Sequence, residues 1–550
     1  MPTTTIPLYT APSQRNVLAV LTKDGRCISG FFTVVPNEIL NTKSVFFEKR
    51  AGFESLAAIA SGSNGRFIHY DDVNGVYVMS FETGGVQTIY TFDDPDIRNC
   101  NSVGGNGVSR ISQVSIGGEI YYLITVSGTR GYYLPFLTLG STKTFTADTT
   151  SGNPTLTNVS STSGIYVGQT LSGTGIPATA RVKSFVAGTS VTMGSDSDTD
   201  VNATATNSGI TVTRSDVAII MSTSAPGGTV GLTEMDGYVF SAATDEIRNS
   251  SVNDLNTWSV NNSIKPNVET DNIVTITRYR GYIVSFGSSS IEFFYNAGNS
   301  FGSVLSRNNS LFIGFGIIGN IAQTADYVFF IGGESAGGGY SRGIYTLNGF
   351  SPEKVSTATI DKIISSSTSP TLEVFSAYGK TLLHVSGGSL STLDYSFLYC
   401  LETKEWFESG FPFYMRMANS LGPISGVAVN STSGKLYNVN QSSPVYQDDG
   451  SAFTMTFQTQ PYSLNKGKGF VINSVELLAD TQASGSSTLS ISGDDYATFQ
   501  SPGSFNLTRT TKRVHRCGYY RNHAIFKVED SGNQAWRGQA LIVDWEPCGA

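Results

Sequence analysis

The sequence predicts an all-β chain: a β-propeller of about six or seven blades, with a small inserted β-module and a C-terminal β-sandwich. Three observations carry this. The composition holds 59 Gly, 26 Tyr and 32 Phe but only 14% charged residues, which suits pleated, packed strands and breaks helices. No segment keeps apolar residues at helical spacing through three turns. A hairpin signal recurs at a nearly constant interval, the mark of a repeat architecture.

The clearest copy is Arg280-Gly-Tyr-Ile-Val-Ser-Phe-Gly-Ser-Ser-Ser-Ile-Glu-Phe-Phe-Tyr-Asn296, two alternating apolar runs around a Gly-Ser turn. Phe67, Ile120, Tyr238, Tyr282, Tyr327, Thr381 and Val427 are read as equivalent positions on the first strand of each unit. The later steps are 282 − 238 = 44, 327 − 282 = 45, 381 − 327 = 54 and 427 − 381 = 46. Repeats of about 40–50 residues made of strand and turn are the spacing of propeller blades, placed here at 61–440. The steps 120 − 67 = 53 and 238 − 120 = 118 are longer. Residues 140–215 are rich in Thr, Ser, Gly, Val, Ala and Asp and poor in aromatics, and excising them restores the period. They are expected to form a separable module.

Outside the repeats, residues 1–60 mix strand-like runs with Pro36-Asn-Glu-Ile-Leu40 and are expected to be an arm or the strands that close the ring. From 450 to 550 five or more strands crowd into about 100 residues, the rhythm of a β-sandwich. Met1-Pro-Thr-Thr-Thr-Ile-Pro7 lacks a charged, apolar leader, so no secretion signal is expected. No apolar run approaches the ~18 residues that span a bilayer. Cys27, Cys100, Cys400, Cys517 and Cys548 have neither metal-ligand nor framework spacing. A net charge of −8 argues against gripping nucleic-acid phosphates over a broad surface, though not against lining a passage through which DNA slides.

Motifs for chemistry are sparse. Gly333-Glu-Ser-Ala-Gly337 matches G-x-S-x-G, but a nucleophile elbow needs a following helix, and Gly337-Gly-Gly-Tyr-Ser-Arg-Gly343 follows instead. Ser335 is therefore read as part of a Gly-rich turn, with His384, His515 and His523 in no informative setting. Asp196, Asp198 and Asp200 begin like a calcium loop, but Val201 and Asn207 occupy the positions that need Gly and Glu. Asp93-Asp-Pro-Asp96 reads as a turn. Ser251-Val-Asn-Asp-Leu-Asn-Thr-Trp258 is similar to the structural turn of sialidase-type propellers, in which Trp packs between blades. The one charge concentration is Thr511–Arg521, where Lys512, Arg513, Arg516 and Arg521 with Tyr519 and Tyr520 could meet DNA or another subunit, or simply guard an edge strand. No catalytic residue, metal or cofactor is expected.

Arg278–Phe294 resembles the most recognisable segment of the packaged-DNA stabilisation proteins of short-tailed bacteriophages, also described as tail-hub or tail-nozzle subunits. Its structural positions here are Gly281, Ile283, Phe286, Gly287, Ile291 and Phe294. Thr357–Ile364 resembles a second segment of that family, and Pro36–Leu40 with Arg50-Ala-Gly-Phe53 a third. Ala51 stands where the family pattern has Pro, and the 140–215 insertion is extra; it resembles small β-modules of phage tail proteins. The resemblance implies a non-enzymatic virion protein of the tail, assembled in the host cytoplasm. It implies a ring of six subunits that extends the portal channel, retains packaged double-stranded DNA and lets it exit on infection. Portal or adaptor proteins and tail fibres or a needle are the implied partners. A host-glycan-binding or glycan-cleaving tail protein is the alternative, and a cellular propeller scaffold a third class.

Overall fold

The computed structural model describes residues 2–8, 25–37, 42–59, 64–93, 96–104, 107–136, 143–195, 199–214, 218–266, 268–334, 342–366, 370–389, 392–410, 415–418, 426–430, 432–439 and 444–548. Seven four-stranded antiparallel meanders dominate them. Blade 1 runs from Asn64–Asp71 to Asp96–Val103, and blade 2 from Val108–Ile116 to Ile219–Ile220. Blade 3 runs from Gly231–Met235 to Trp258–Ile264, and blade 4 from Ile273–Tyr279 to Leu305–Ile313. Blade 5 runs from Phe315–Gln323 to Ser351–Lys354, and blade 6 from Thr371–Ala377 to Glu405–Glu408. Blade 7 holds Met415–Met417, Val427–Asn430 and Lys435–Asn438. Its fourth strand is Glu54–Ala58, which pairs Tyr437 with Ser55 and Asn438 with Glu54. The first strand of each blade touches the first strand of the next, and that of blade 7 touches blade 1. The sheets form a seven-bladed β-propeller whose last blade is completed by an N-terminal strand.

Each blade is covered on both faces, so its middle strands bury nearly every side chain. Tyr282–Gly287 and Glu119–Val126 have only their first one or two residues partly accessible. Burial on two faces is why these strands read as apolar runs rather than as a clean apolar–polar alternation. Aromatic and aliphatic side chains then fill the wedges between blades. Trp258 packs with Leu232 and Val239 of its own blade and with Tyr121 and Tyr133 of blade 2, its Nε1 donating to Leu255 O at 2.9 Å. The sialidase-like turn is thus structural, with Trp258 between two blades.

One equivalence in the repeat differs from the sequence reading. Ile120, Tyr238, Tyr282, Thr381 and Val427 lie on the second strand of their blades and Tyr327 directly precedes one, but Phe67 lies on the innermost strand of blade 1. Tyr77, on the second strand, is its proper counterpart, and 120 − 77 = 43 joins the short steps. Gly65 and Gly75 flank two consecutive apolar strands, and the pattern alone does not say which is inner. A helix, Ala358–Ser366, links blades 5 and 6 and buries Ile360 and Ile364 against both.

Residues 143–214 leave blade 2 after Tyr132–Pro135 and return to its outer strand, where Tyr132 pairs with Ile220. They form two three-stranded sheets around a core of their own that includes Phe145, Leu156, Val182, Val191, Met193 and Val212. The Tyr133 hydroxyl donates to Val167 O at 2.5 Å and ties this module to the blade.

The rest of the chain is a two-sheet sandwich. One sheet orders Gly30–Asn37, Thr42–Lys49, Arg537–Pro547, Phe470–Ala479 and Lys512–Tyr520, with Thr3–Pro7 paired along Arg537–Pro547. The other orders Arg26–Ile28, Met455–Gln458, Ile525–Asp530, Ser486–Ser492 and Gln500–Asn506. Ile6, Phe32 and Phe47 share its core with Phe457, Phe470, Phe526 and Trp536. The N-terminal residues therefore divide: strands up to Lys49 lie in the sandwich beside the C-terminal ones, and Glu54–Ala58 closes the propeller. Arg26–Ile28 also pairs in parallel with the outer strand of blade 6 (Ile28 opposite Glu408), which makes that blade and half the sandwich one nine-stranded sheet.

Because the module has a separate core and both its ends leave one blade, replacing residues 143–214 by a short Gly-Ser bridge should leave a folded, soluble protein. Circular dichroism and thermal unfolding check this. Loss of the cooperative transition would show that the module belongs to the propeller core.

Candidate functional site

The segment that carries the family resemblance is blade 4 mechanics. Arg280 and Gly281 take φ of +46° and +80°, the left-handed pair that a two-residue turn between Tyr279 and Tyr282 needs. Ile283 and Phe294, with Ile276 of the same blade, point toward blade 3, where they meet Phe240 and Ile247. Phe286 and Ile291 point the other way and meet Phe315 and Phe330 of blade 5. Asp271 caps the next turn, accepting from Ser289 N at 2.7 Å and Ser290 Oγ at 3.0 Å. A Cβ on Gly287 would lie 2.2 Å from the same carboxylate, and one on Gly316 of blade 5 would lie 1.9 Å from Ser288 O. The Gly-Ser-Ser-Ser turn is thus shaped to fit beneath the next blade. Glu292, the one carboxylate in the motif, is buried against Arg307 at 2.7 Å, and desolvation raises its pKa.

Arg50-Ala-Gly-Phe53 is a latch between domains. The Arg50 guanidinium is almost fully buried and donates to both carboxylate oxygens of Asp448 at 2.8 and 2.6 Å. It also donates to Ser409 O at 3.0 Å, Ala51 O at 3.0 Å and Gly410 O at 3.1 Å. The Phe453 ring lies 4.0 Å away over the cation. Gly52 N donates to Val445 O at 2.6 Å, and a Cβ there would sit 2.0 Å from Gln447 O. Next to it, Lys49 is buried on Asp530 at 3.0 Å, its pKa lowered by desolvation.

The axis of the propeller is bridged. Arg110, on the innermost strand of blade 2, skips blade 3 and donates to Thr277 Oγ1 of blade 4 at 3.0 Å and Gln323 Oε1 of blade 5 at 2.6 Å. Gln323 in turn donates to Arg278 O at 2.5 Å. Burial of the guanidinium pulls its pKa down to about 10. Charged at neutral pH, it cross-braces three blades where an open propeller would have its channel.

Between blades 6 and 7, Glu373 Oε2 meets His384 Nδ1 at 3.1 Å, and His384 Nε2 meets Ser396 Oγ at 2.6 Å. Arg416 and Met417 N of blade 7 converge on Glu373 at 3.3 and 3.1 Å. Burial opposes ionisation of Glu373, but His384 and Arg416 outweigh it and hold the carboxyl below its ordinary 4.5. The connectivity is that of a nucleophile relay. Ser396, however, sits within a strand paired to Ser386, without the sharp turn that presents a nucleophile. Its evident work is to satisfy buried polar groups at a blade junction.

The basic run divides. Lys512 is buried, its Nζ donating to Ala479 O at 2.9 Å, and Arg513 is paired with Glu476. Arg516 is exposed on the edge strand, at a φ of +60° in a bulge, and Arg521 is exposed just beyond the strand's end. Ser335, Asp196 and Asp198 lie outside the described residues, while Asp200 pairs with Lys183 at 2.7 Å. Among the described residues no three His, Cys, Asp or Glu side chains are grouped to hold a metal.

Residues 124–381, from the second strand of blade 2 to that of blade 6, match the phage stabilisation family model described as "Bacteriophage P22 Gp10, beta-propeller". The match bears out the family resemblance: over these residues the chain is similar to a phage structural tail protein of the Gp10 type. No curated protein sequence matches. Two solved structures align with TM-scores of 0.33 each: the extracellular domain of a B. thetaiotaomicron hybrid two component system (8% identity, 79% of this chain) and Chaetomium thermophilum Raptor (10%, 71%). The chain spans 44% and 30% of those proteins' lengths, and at that TM-score neither bears on its fold or function.

Sequence reasoning missed Arg110, Glu373, His384 and Arg416 as a class. Isolated polar residues on otherwise apolar strands were their only signal.

Arg50→Met should destabilise the protein by about 3–5 kcal/mol, because Asp448 stays buried without its partner. Urea unfolding measures this, and a change below about 1 kcal/mol would show that the latch is not coupled to folding. The Glu373 carboxyl is depressed in the fold, so its contribution is present above pH 4.5 and fades as pH falls below that value. Glu373→Gln should flatten the acid limb of the stability–pH curve, while Ser396→Ala should leave that limb in place.

Proposed function

We propose that this chain is a tail-hub, or nozzle, subunit: a closed ring of six copies that extends the portal channel, retains packaged DNA and releases it on infection. The family match over 124–381 supports the role, and six copies is the number the family resemblance implies. The bridged axis carries the geometric argument. Arg110 spans the centre of the propeller, so a duplex needs a passage enclosed by several subunits rather than one through a single chain. Such a ring requires a heterologous interface whose rotation closes. A propeller braced between all its blades is a stiff spacer between the two contact surfaces.

On this reading the portal or adaptor lies on one side of the ring and fibres or a needle on the other. The chain works without a catalytic step, by confining DNA rather than by making bonds. Net charge −8 fits a lining along which phosphates slide.

Particles assembled without this protein should package DNA and then leak it, measured by nuclease-sensitive DNA after filling. Electron microscopy of the purified chain or of tails should show six-fold rings on the portal axis. Particles that keep their genome without it, or a location confined to fibres away from that axis, would overturn the role.

A further inference from the structure

The sandwich displays a basic patch that neither the family match nor the polar clusters above account for. The loop Ser463–Gly469 enters the strand Phe470–Ala479 beside the end of the edge strand Lys512–Tyr520. Lys466 and Lys468 are exposed on this loop. The loop is pinned: Gly467 N donates to Ser463 Oγ at 2.6 Å, Lys468 N to Asn465 O at 2.8 Å, and Asn465 Nδ2 to Gly469 O at 2.9 Å. Lys466 and Gly467 take φ of +46° and +82°, a tight reversal that projects both lysines.

Tyr519 joins loop and strand. Its ring lies over Gly469, where a Cβ would stand 2.5 Å from the phenol oxygen and would displace the ring. The residue is still 60% exposed, and its hydroxyl makes no hydrogen bond among the described residues. Arg521 follows two positions on, exposed just past the end of the strand, and Arg516 is exposed at the bulge. None of Lys466, Lys468, Arg516 and Arg521 has an ion pair among the described residues, in contrast to Arg513 on Glu476. Glu546 is opposite Val471 on the far side of the Phe470 strand.

We infer that this patch binds the phosphate backbone of duplex DNA. Four cations without an ion pair among the described residues, Lys466 and Lys468 on the loop and Arg516 and Arg521 to either side of Tyr519 along the chain, accompany that phenol on a chain of net charge −8. Cations supply the attraction to phosphates, and a tyrosine hydroxyl is a phosphate donor that adds orientation without reading sequence. Held on a pinned loop and a strand end, the donors lose little freedom on binding. The contact is weak by design of number. About four phosphates give a slope of log affinity against log salt near −3.6, roughly a hundredfold loss between about 50 and 200 mM. It holds DNA at low occupancy and does not stop it from moving. This rests on the nozzle reading only for its biological setting, since the binding itself belongs to the isolated chain.

The test uses the full chain and a fluorescent random-sequence duplex, with anisotropy read from about 50 to 200 mM salt. The triple variant Lys466→Ser/Lys468→Ser/Arg521→Ser should cut affinity at low salt at least tenfold and reduce the slope to about −0.9, with one cation left. Tyr519→Phe should weaken binding severalfold at unchanged slope. Arg513→Ala/Glu476→Ala, which removes a neutral pair, should change neither. Unchanged unfolding temperatures show that each variant is folded. Equal affinity and slope in the triple variant would overturn the assignment, as would tighter binding of single strands that Tyr519→Phe leaves intact. If particles lacking the protein keep their genome while the patch still binds duplex, the nozzle reading fails and this one stands. If they leak while the triple variant binds normally, the reverse holds.

Discussion

One guanidinium joins parts of the chain that are far apart in sequence. Arg50 comes from the end of a sandwich strand, Ser409 and Gly410 follow the outer strand of blade 6, and Asp448 belongs to the return from blade 7 to the sandwich. Arginine suits this place because its five N–H donors form a rigid fork, and here the carboxylate and three carbonyls use them. A buried charge without partners would cost several kcal/mol, so the propeller–sandwich junction is allowed only in the geometry that satisfies it. The parallel pairing of Ile28 with Glu408 and the bidentate Arg26–Glu408 contact at 2.7 and 2.5 Å lie on the same side of blade 6. The two domains are therefore fused through one blade edge, a buried ion pair and an apolar core in which Phe32 of the sandwich meets Phe407 of blade 6 at 5.3 Å.

The propeller is braced in two further ways. Hydrophobic wedges between blades supply most of the burial, as where Phe286 and Phe330 meet at 5.3 Å between blades 4 and 5. Polar bridges then fix the relative placement of blades that apolar packing alone would leave adjustable. Arg110 does this across the axis and Glu373 with Arg416 between blades 6 and 7. The blades are thus held both by apolar wedges between neighbours and by a guanidinium that reaches from blade 2 to blades 4 and 5.

The blade core matches a phage structural family over 124–381, while the module at 143–214 and the sandwich present separate faces. The basic strand illustrates how much placement matters. Of its four candidate cations, Lys512 faces the interior and Arg513 is neutralised, and two lysines from another loop stand beside the remaining pair.

The sequence by itself determined the all-β class, the blade rhythm and the family resemblance, because these depend on local features: apolar runs, turn glycines and their spacing. It also marked Arg50–Phe53 and Arg278–Phe294 without their physical reasons, which are a buried fork and a turn that fits under a neighbouring blade. Tertiary structure alone decided that Phe67 lies on an inner strand, since consecutive apolar strands look alike until one faces the axis. It alone placed Thr3–Pro7 beside Arg537–Pro547 and made Glu54–Ala58 the last strand of blade 7, because pairing across some 380 to 540 residues leaves no local trace. Arg110, Glu373 and His384 were illegible for the same reason. A polar residue on an apolar strand signals burial with a partner, and only the closed ring shows which residue that partner is.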